Sequence, residues 1–255
     1  MAMIETSDPS QTGDAVAERP SAWAAWLVHF YTASGVILAF WMVIWSFEGR
    51  TAGVLWLFLI SMFIDGTDGL LARRVRVKEA TPWFDGGLLD NIVDYITYAF
   101  APMVFLWVGG YLPGGTLGAV AVSLPLLASC YQFCRTDAKT DDHCFLGFPD
   151  YWNVLAFYVV VLGVGTTGTT ILLFVFSVLV FVPIRYVYPS RTELLWYTNM
   201  SLTAAWLVIY AVIVAQLEHP HPVLVALSLA YVGFYVAESL VLTARHQRRA
   251  RLASA

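Results

Sequence analysis

The chain has 255 residues, of which 59% are hydrophobic and only 13% charged. A soluble domain carries about 25% charged residues, so this composition, with a mean hydropathy of +0.68, indicates an integral membrane protein. The net charge of −4 says little, because what matters is where the charges lie; no nucleic-acid partner is expected. The cysteines Cys130, Cys134 and Cys144 give no disulfide framework. Cys130 and Cys134 lie one helical turn apart with only His143 nearby, which fits buried apolar thiols better than a zinc site.

Residues 1–20 carry Glu5, Asp8, Asp14 and Glu18. No basic stretch precedes an apolar core there, so a disordered cytoplasmic tail is expected rather than a secretory signal. Eight apolar segments follow, at about 23–47, 51–70, 87–111, 116–135, 151–165, 168–188, 193–216 and 222–244. The fifth is short for a span. Linkers such as Glu48-Gly49-Arg50, Pro113-Gly114-Gly115 and Glu218-His219-Pro220-His221 have turn chemistry. The expected fold is an all-α polytopic membrane bundle of about eight transmembrane helices over residues 21–245, followed by a basic tail at 246–255. If the N-terminus is cytoplasmic, thirteen of the fourteen Lys and Arg residues fall on the inner side and only Arg50 outside. Both termini are therefore expected in the cytoplasm.

The second segment ends in Asp65-Gly66-Thr67-Asp68-Gly69-Leu70-Leu71-Ala72-Arg73, and Gly86-Gly87-Leu88-Leu89-Asp90-Asn91-Ile92-Val93-Asp94 opens the third. A helix turns by about 100° per residue. Asp65, Asp68, Gly69 and Ala72 therefore share one face, and Gly86, Asp90 and Asp94 share another. A carboxylate at membrane depth costs about 2.5–3.5 kcal/mol, and four together repel one another. A pair of divalent cations is the simplest compensation, and carboxylate oxygens suit Mg²⁺ or Mn²⁺. The small residues beside the acids would let a phosphate-bearing ligand approach the backbone. The structural alternative is helix capping and close helix packing.

Further along, His29, Asn153, Asn199 and Glu238 lie near the same side of the membrane as the acids. They outline a cavity open to the cytosol that stops partway, unless each merely pairs with a neighbouring helix. Arg74, Arg76 and Lys78 form a basic strip attracted to anionic lipid. Arg185 and Arg191 are candidates for binding a diphosphate or lipid phosphate, with orientation of the chain as their plainer role. Tyr95, Tyr98, Phe145, Phe148, Trp152 and Tyr186 are candidates for caging a quaternary ammonium by cation–π attraction, with Glu238 as counter-charge; ordinary packing is the alternative for each.

The paired acidic stretches resemble the signature of the CDP-alcohol phosphatidyltransferases, D-x-x-D-G-x-x-A-R, a spacer, then G-x-x-x-D-x-x-x-D. Asp65, Asp68, Gly69, Ala72, Arg73, Gly86, Asp90 and Asp94 match every fixed position. The spacer, Arg74 to Asp85, is twelve residues, longer than usual. In this, and in the segment from Asp141 to Asn153, the chain is similar to the bacterial phosphatidylcholine synthase branch. The resemblance covers roughly residues 20–245. It implies that Asp65, Asp68 and Asp90 hold two Mn²⁺ or Mg²⁺ ions, and that Asp94 acts as general base while also touching metal. Asp65, Asp68, Gly69, Ala72, Arg73 and Gly86 would bind the nucleotide. The implied substrates are CDP-diacylglycerol and choline, with CMP released. The implied setting is a homodimer in the bacterial inner membrane, its site facing the cytoplasm. The alternatives are a related enzyme with serine, glycerol 3-phosphate or inositol phosphate as acceptor, an intramembrane prenyltransferase, and a cation transporter.

Overall fold

The computed structural model describes residues 20–140, 143–192 and 194–253. The expected N-terminal tail therefore lies almost wholly outside the described residues. Each of the eight apolar segments forms a helix. In chain order these are α1 (Ala22–Phe47), α2 (Thr51–Arg74), the continuous rod Gly86–Val108, α6 (Gly115–Cys134), α7 (Trp152–Val161), α8 (Thr166–Phe181), α9 (Trp196–Ala215) and α10 (Pro222–Ala253). One further short helix, α3 (Val77–Ala80), sits in the spacer between the two acidic stretches. The protein is an all-α, multi-pass membrane bundle. Among the described residues, six helices are long and apolar enough to cross a membrane, whereas α7 and α8 are shorter apolar helices. Large apolar side chains such as Leu27, Phe30, Phe63, Leu127 and Val208 point outward, as a lipid-facing surface requires.

The rod Gly86–Val108 is not uniform. It runs as α4 (Gly86–Asp94), then one stretch of π-helix (Tyr95–Phe100), then α5 (Ala101–Val108). Pro102 sits in the first turn of α5. A proline has no N–H to bond the carbonyl four residues back and crowds it; a widened turn just before it relieves that conflict. π-turns inside helices are frequent at functional sites, and this one begins directly after Asp94.

Two segments depart from expectation. The sixth apolar segment, read as helix to residue 188, stops at Phe181; Pro183 follows, and Arg185–Val187 forms strand β2. Its partner is β1 (Cys144–Leu146), antiparallel, with Phe145 opposite Tyr186. This ribbon joins two interhelical loops and is tied to α10: Ser239 Oγ accepts from Val187 N–H at 3.2 Å, and Thr243 Oγ1 accepts from Arg185 N–H at 2.8 Å. At the other end of the chain, α10 continues past residue 244 through the basic segment to Ala253. Cys144 is buried, but Cys130 and Cys134 are exposed on α6, so those two thiols are not the buried pair expected.

The main core lies among α2, α5, α7 and α9. Phe58 meets Phe105 edge-on at 5.7 Å and Phe157 stacks on Tyr210 at 3.9 Å. The Tyr210 hydroxyl donates to the Leu55 carbonyl at 3.2 Å. The most extensive helix pair is α1 with α2, and α1 also packs on α4. Gly35 makes that second contact close, since a Cβ there would come within 2.5 Å of Val93 Cγ1. This close approach brings α1 to the acid-bearing faces of α2 and α4.

Candidate active site

Helix periodicity puts the acids of each stretch on one face, and packing turns the two faces toward each other. Asp65, Asp68 and Asp90 each offer a carboxylate oxygen, and these oxygens all lie within 4.8 Å of one another. Asp94, one turn deeper on α4, lines a small cavity with Asp65, Asp68, Thr32, Gly35 and Ser61. The other three carboxylates, Asp65, Asp90 and Asp68, all act electrostatically on Asp94, and Lys139 is the cation that opposes them there.

Three clustered carboxylates need positive charge. Lys139 Nζ is 3.9 Å from Asp90 Oδ2, too loose for a good hydrogen bond. Arg191 is the second cation acting on Asp90. Two exposed cations do not balance four buried or half-buried acids. Convergent carboxylate oxygens with so little opposing charge fit a hard divalent ion, so the cluster is able to hold a metal.

Two hydroxyls from outside the acidic stretches hold the cluster in place. Thr32 Oγ1 on α1 donates to Asp68 Oδ2 at 2.7 Å, and the Tyr98 hydroxyl donates to Asp65 Oδ2 at 2.7 Å. Both donors are buried. Tyr31 on α1 also shares a hydrogen bond with Thr67 at 2.8 Å. Carboxylates locked by outer hydrogen bonds are a recurrent feature of metal sites.

The remaining candidates divide. Gly69 lies beside the Arg73 guanidinium, whose Nη1 would be 3.4 Å from an added Cβ. Ala72 packs against the small cluster of Ala25, Val28 and Val77. Gly86 faces His29, and a Cβ there would meet His29 Cε1 at 2.9 Å. His29 in turn shares a hydrogen bond with Thr81 at 3.0 Å and packs on Phe84 at 4.4 Å. It anchors the spacer that joins the two acidic stretches.

Of the basic pair, Arg191 is the one that acts electrostatically on Asp90. Arg191 lies over the Tyr188 ring at 5.6 Å, and Phe145 stacks on the same ring at 4.5 Å. Tyr188 experiences Lys139, Asp65, Arg191 and Asp90 together. Arg185 reaches His246 on α10 at 3.1 Å.

The aromatic candidates scatter. Tyr98 is at the acids. Tyr95 turns toward α6, where its hydroxyl approaches the Leu126 carbonyl at 3.5 Å and its ring meets Phe133. Trp152 is fully buried, and its Nε1 donates to Ser129 Oγ at 2.8 Å and Asp150 Oδ1 at 3.0 Å. Phe148 packs on Trp152, Phe176 and Tyr186. Glu238 Oε1 accepts from Asn199 Nδ2 at 3.2 Å, so two of the polar residues read as cavity markers pair across α9 and α10.

Sequence reasoning missed Thr32, Lys139 and Asp150. Thr32 lies three residues after His29 and three before Gly35, a stripe of polar and small residues on an apolar helix that was a usable signal. Lys139 is fixed by its antiparallel bridge to Phe145, which no local pattern reveals. Asp150 is 1% exposed with a left-handed backbone, φ 57°. Burial pushes its carboxyl up to about 6, against the opposing hydrogen bonds from Ser129 and Trp152.

No family model matches the sequence. A phosphatidylcholine synthase of Legionella pneumophila is 39% identical over 221 residues, covering 84% of this chain and 86% of the relative. One from Borreliella burgdorferi is 39% identical over 188 residues, covering 74% and 80%. One from Pseudomonas aeruginosa is 35% identical over 223 residues, covering 87% and 92%. With this degree of identity over most of both chains, and acids that two helices bring together, the chain belongs to the phosphatidylcholine synthase family.

Proposed function

We propose that this enzyme transfers the phosphatidyl group of CDP-diacylglycerol to the hydroxyl of choline, giving phosphatidylcholine and CMP. The observation that carries the chemistry is the convergence of Asp65, Asp68 and Asp90 within 4.8 Å. Divalent cations held there, Mn²⁺ or Mg²⁺ and two by family resemblance, would neutralise the diphosphate and ease departure of the CMP oxygen. Gly69, Ala72 and Arg73 would border the nucleotide, with Gly86 contributing through the close seating of α4 on His29. Lys139 and Arg191, the cations nearest Asp90, would meet the diphosphate.

Asp94 would take the proton from the choline hydroxyl. The hydroxyl oxygen attacks the phosphorus that carries the diacylglycerol oxygen. The bond from that phosphorus to the bridging oxygen breaks, and CMP leaves with the bridging oxygen. Asp94 lines the same small cavity as Asp65 and Asp68, which supports its reach to the reacting group. The distribution of Lys and Arg supports a site facing the cytoplasm of a bacterial inner membrane, and the family's homodimeric assembly is expected with it.

The test is CMP release by the purified protein in lipid nanodiscs with Mn²⁺, CDP-diacylglycerol and a panel of alcohols. Choline should be the preferred acceptor. Asp94→Asn should lower kcat by about 10²–10⁴-fold with thermal unfolding unchanged. Turnover with serine or glycerol 3-phosphate but not choline would refute the acceptor, and undiminished turnover by Asp94→Asn would remove the base.

A further inference from the structure

A wall of tyrosines runs from the acid cluster toward α10. Beyond Tyr98, whose hydroxyl is bound to Asp65, the ring of Tyr151 lies 6.4 Å away. Tyr235 is 6.2 Å from Tyr151, and Tyr186 is 6.2 Å from Tyr235 with the two rings nearly parallel. Tyr151 senses Asp65 on one side and Tyr231 on the other, and Tyr231 senses Glu238. Tyr231, Tyr235 and Glu238 are spaced by four and three residues on α10, so they share one face.

The hydroxyls of Tyr98, Tyr151, Tyr231 and Tyr235 are already committed within the protein. Tyr98 donates to Asp65, Tyr235 donates to the Val187 carbonyl at 3.0 Å, Tyr231 shares a bond with Thr203 at 2.8 Å, and Tyr151 is bonded to Tyr235. What remains to offer a ligand is ring surface. At the far end stands Glu238, 8% exposed. Its Oε1 is held by Asn199, while its Oε2 is buried with no hydrogen-bond partner among the described residues. A buried carboxylate oxygen without a donor is costly. An ordinary ammonium would satisfy it by donating N–H bonds. A quaternary ammonium has no N–H; it is stabilised by aromatic faces and by negative charge that is not otherwise bonded.

We propose that Tyr151, Tyr231, Tyr235 and Glu238 form the subsite for the trimethylammonium group of the acceptor, with Asn199 positioning the Glu238 carboxylate and Tyr98 linking the subsite to the acids. This rests on choline as acceptor and assigns its specificity to residues on α10 and the loop before α7.

The experiment measures CMP release by the full-length protein in nanodiscs against choline and CDP-diacylglycerol concentration separately, for wild type, Glu238→Gln, Glu238→Asp, Tyr151→Leu and Tyr151→Phe. The neutral isostere 3,3-dimethylbutan-1-ol serves as a competitor. Glu238→Gln and Tyr151→Leu should each raise the choline KM by at least about tenfold and leave the CDP-diacylglycerol KM within about twofold. Tyr151→Phe, which keeps the ring face, and Glu238→Asp, which keeps the charge, should retain most of the choline affinity. The isostere should compete with choline far less well in wild type than in Glu238→Gln. If wild type uses choline but its KM is unmoved by both Glu238→Gln and Tyr151→Leu, the subsite is wrong while the reaction stands. The subsite is equally wrong if both substrates' KM values and kcat move together and Tyr151→Phe is as damaging as Tyr151→Leu. If wild type releases no CMP with choline, the reaction itself is wrong and the subsite falls with it.

Discussion

The hydroxyl of Tyr98 offers the sharpest separation of positioning from substrate contact. It is buried, lies one turn beyond Asp94, and donates to Asp65 Oδ2 at 2.7 Å. A hydrogen bond to a charged group contributes about 1.5–3 kcal/mol. Removing an outer hydrogen bond from a metal-binding side chain lowers metal affinity by about 10–100-fold, the same scale at about 1.4 kcal/mol per factor of ten. Tyr98→Phe keeps the ring, and with it the packing against Tyr151 at 6.4 Å. CMP release should be followed as Mn²⁺ is titrated at saturating CDP-diacylglycerol and choline. The half-activating Mn²⁺ concentration should rise about 10–100-fold, with kcat at saturating metal little changed and the choline KM unmoved. A metal activation curve superimposable on wild type would refute the role of this hydroxyl. A shift confined to the choline KM would place Tyr98 in acceptor binding instead.

Other perturbations test the frame around the site. Gly86→Ala would bring a Cβ to 2.9 Å from His29 Cε1, and that ring is pinned by Thr81 and Phe84. The overpacking should destabilise the protein by about 1–3 kcal/mol, read as a lower thermal unfolding midpoint; an unchanged midpoint would show that the spacer yields freely. Asp150 has its carboxyl raised to about 6 by burial, above its unfolded value. The folded state then binds the extra proton between about pH 4 and pH 6, so this contribution is present in full below that window and is lost as pH rises through it. At about 1.4 kcal/mol per unit the loss is of order 3 kcal/mol. Asp150→Asn should therefore flatten the fall in unfolding midpoint between about pH 4 and pH 7; parallel curves for mutant and wild type would contradict it.

Much of the architecture is a local property of the chain and was legible in it. An apolar stretch in lipid must satisfy its backbone internally, so it becomes a helix whatever its neighbours do. All eight expected segments are helical for this reason. The placement of Asp65 with Asp68, and of Asp90 with Asp94, follows in the same way from the pitch of one helix. The break in the sixth segment was also written locally, in Pro183 and the extended residues after it, but its apolar character concealed it. So too the π-turn before Pro102, which a hydropathy pattern does not register.

Local chemistry along the chain suffices for the set of helices, the face on which each acid stands, and the carboxylates offered to a cation. Which side chains meet across those faces depends on packing. Thr32 reaches Asp68 because α1 packs along α2, Lys139 comes to Asp90 because a short ribbon folds its loop over the bundle end, and Glu238 finds Asn199 because α9 and α10 pack against each other. Helical pitch acts over a few residues and can be read along the chain. Contacts between helices depend on how their surfaces interlock, which is settled by packing of the whole bundle at once.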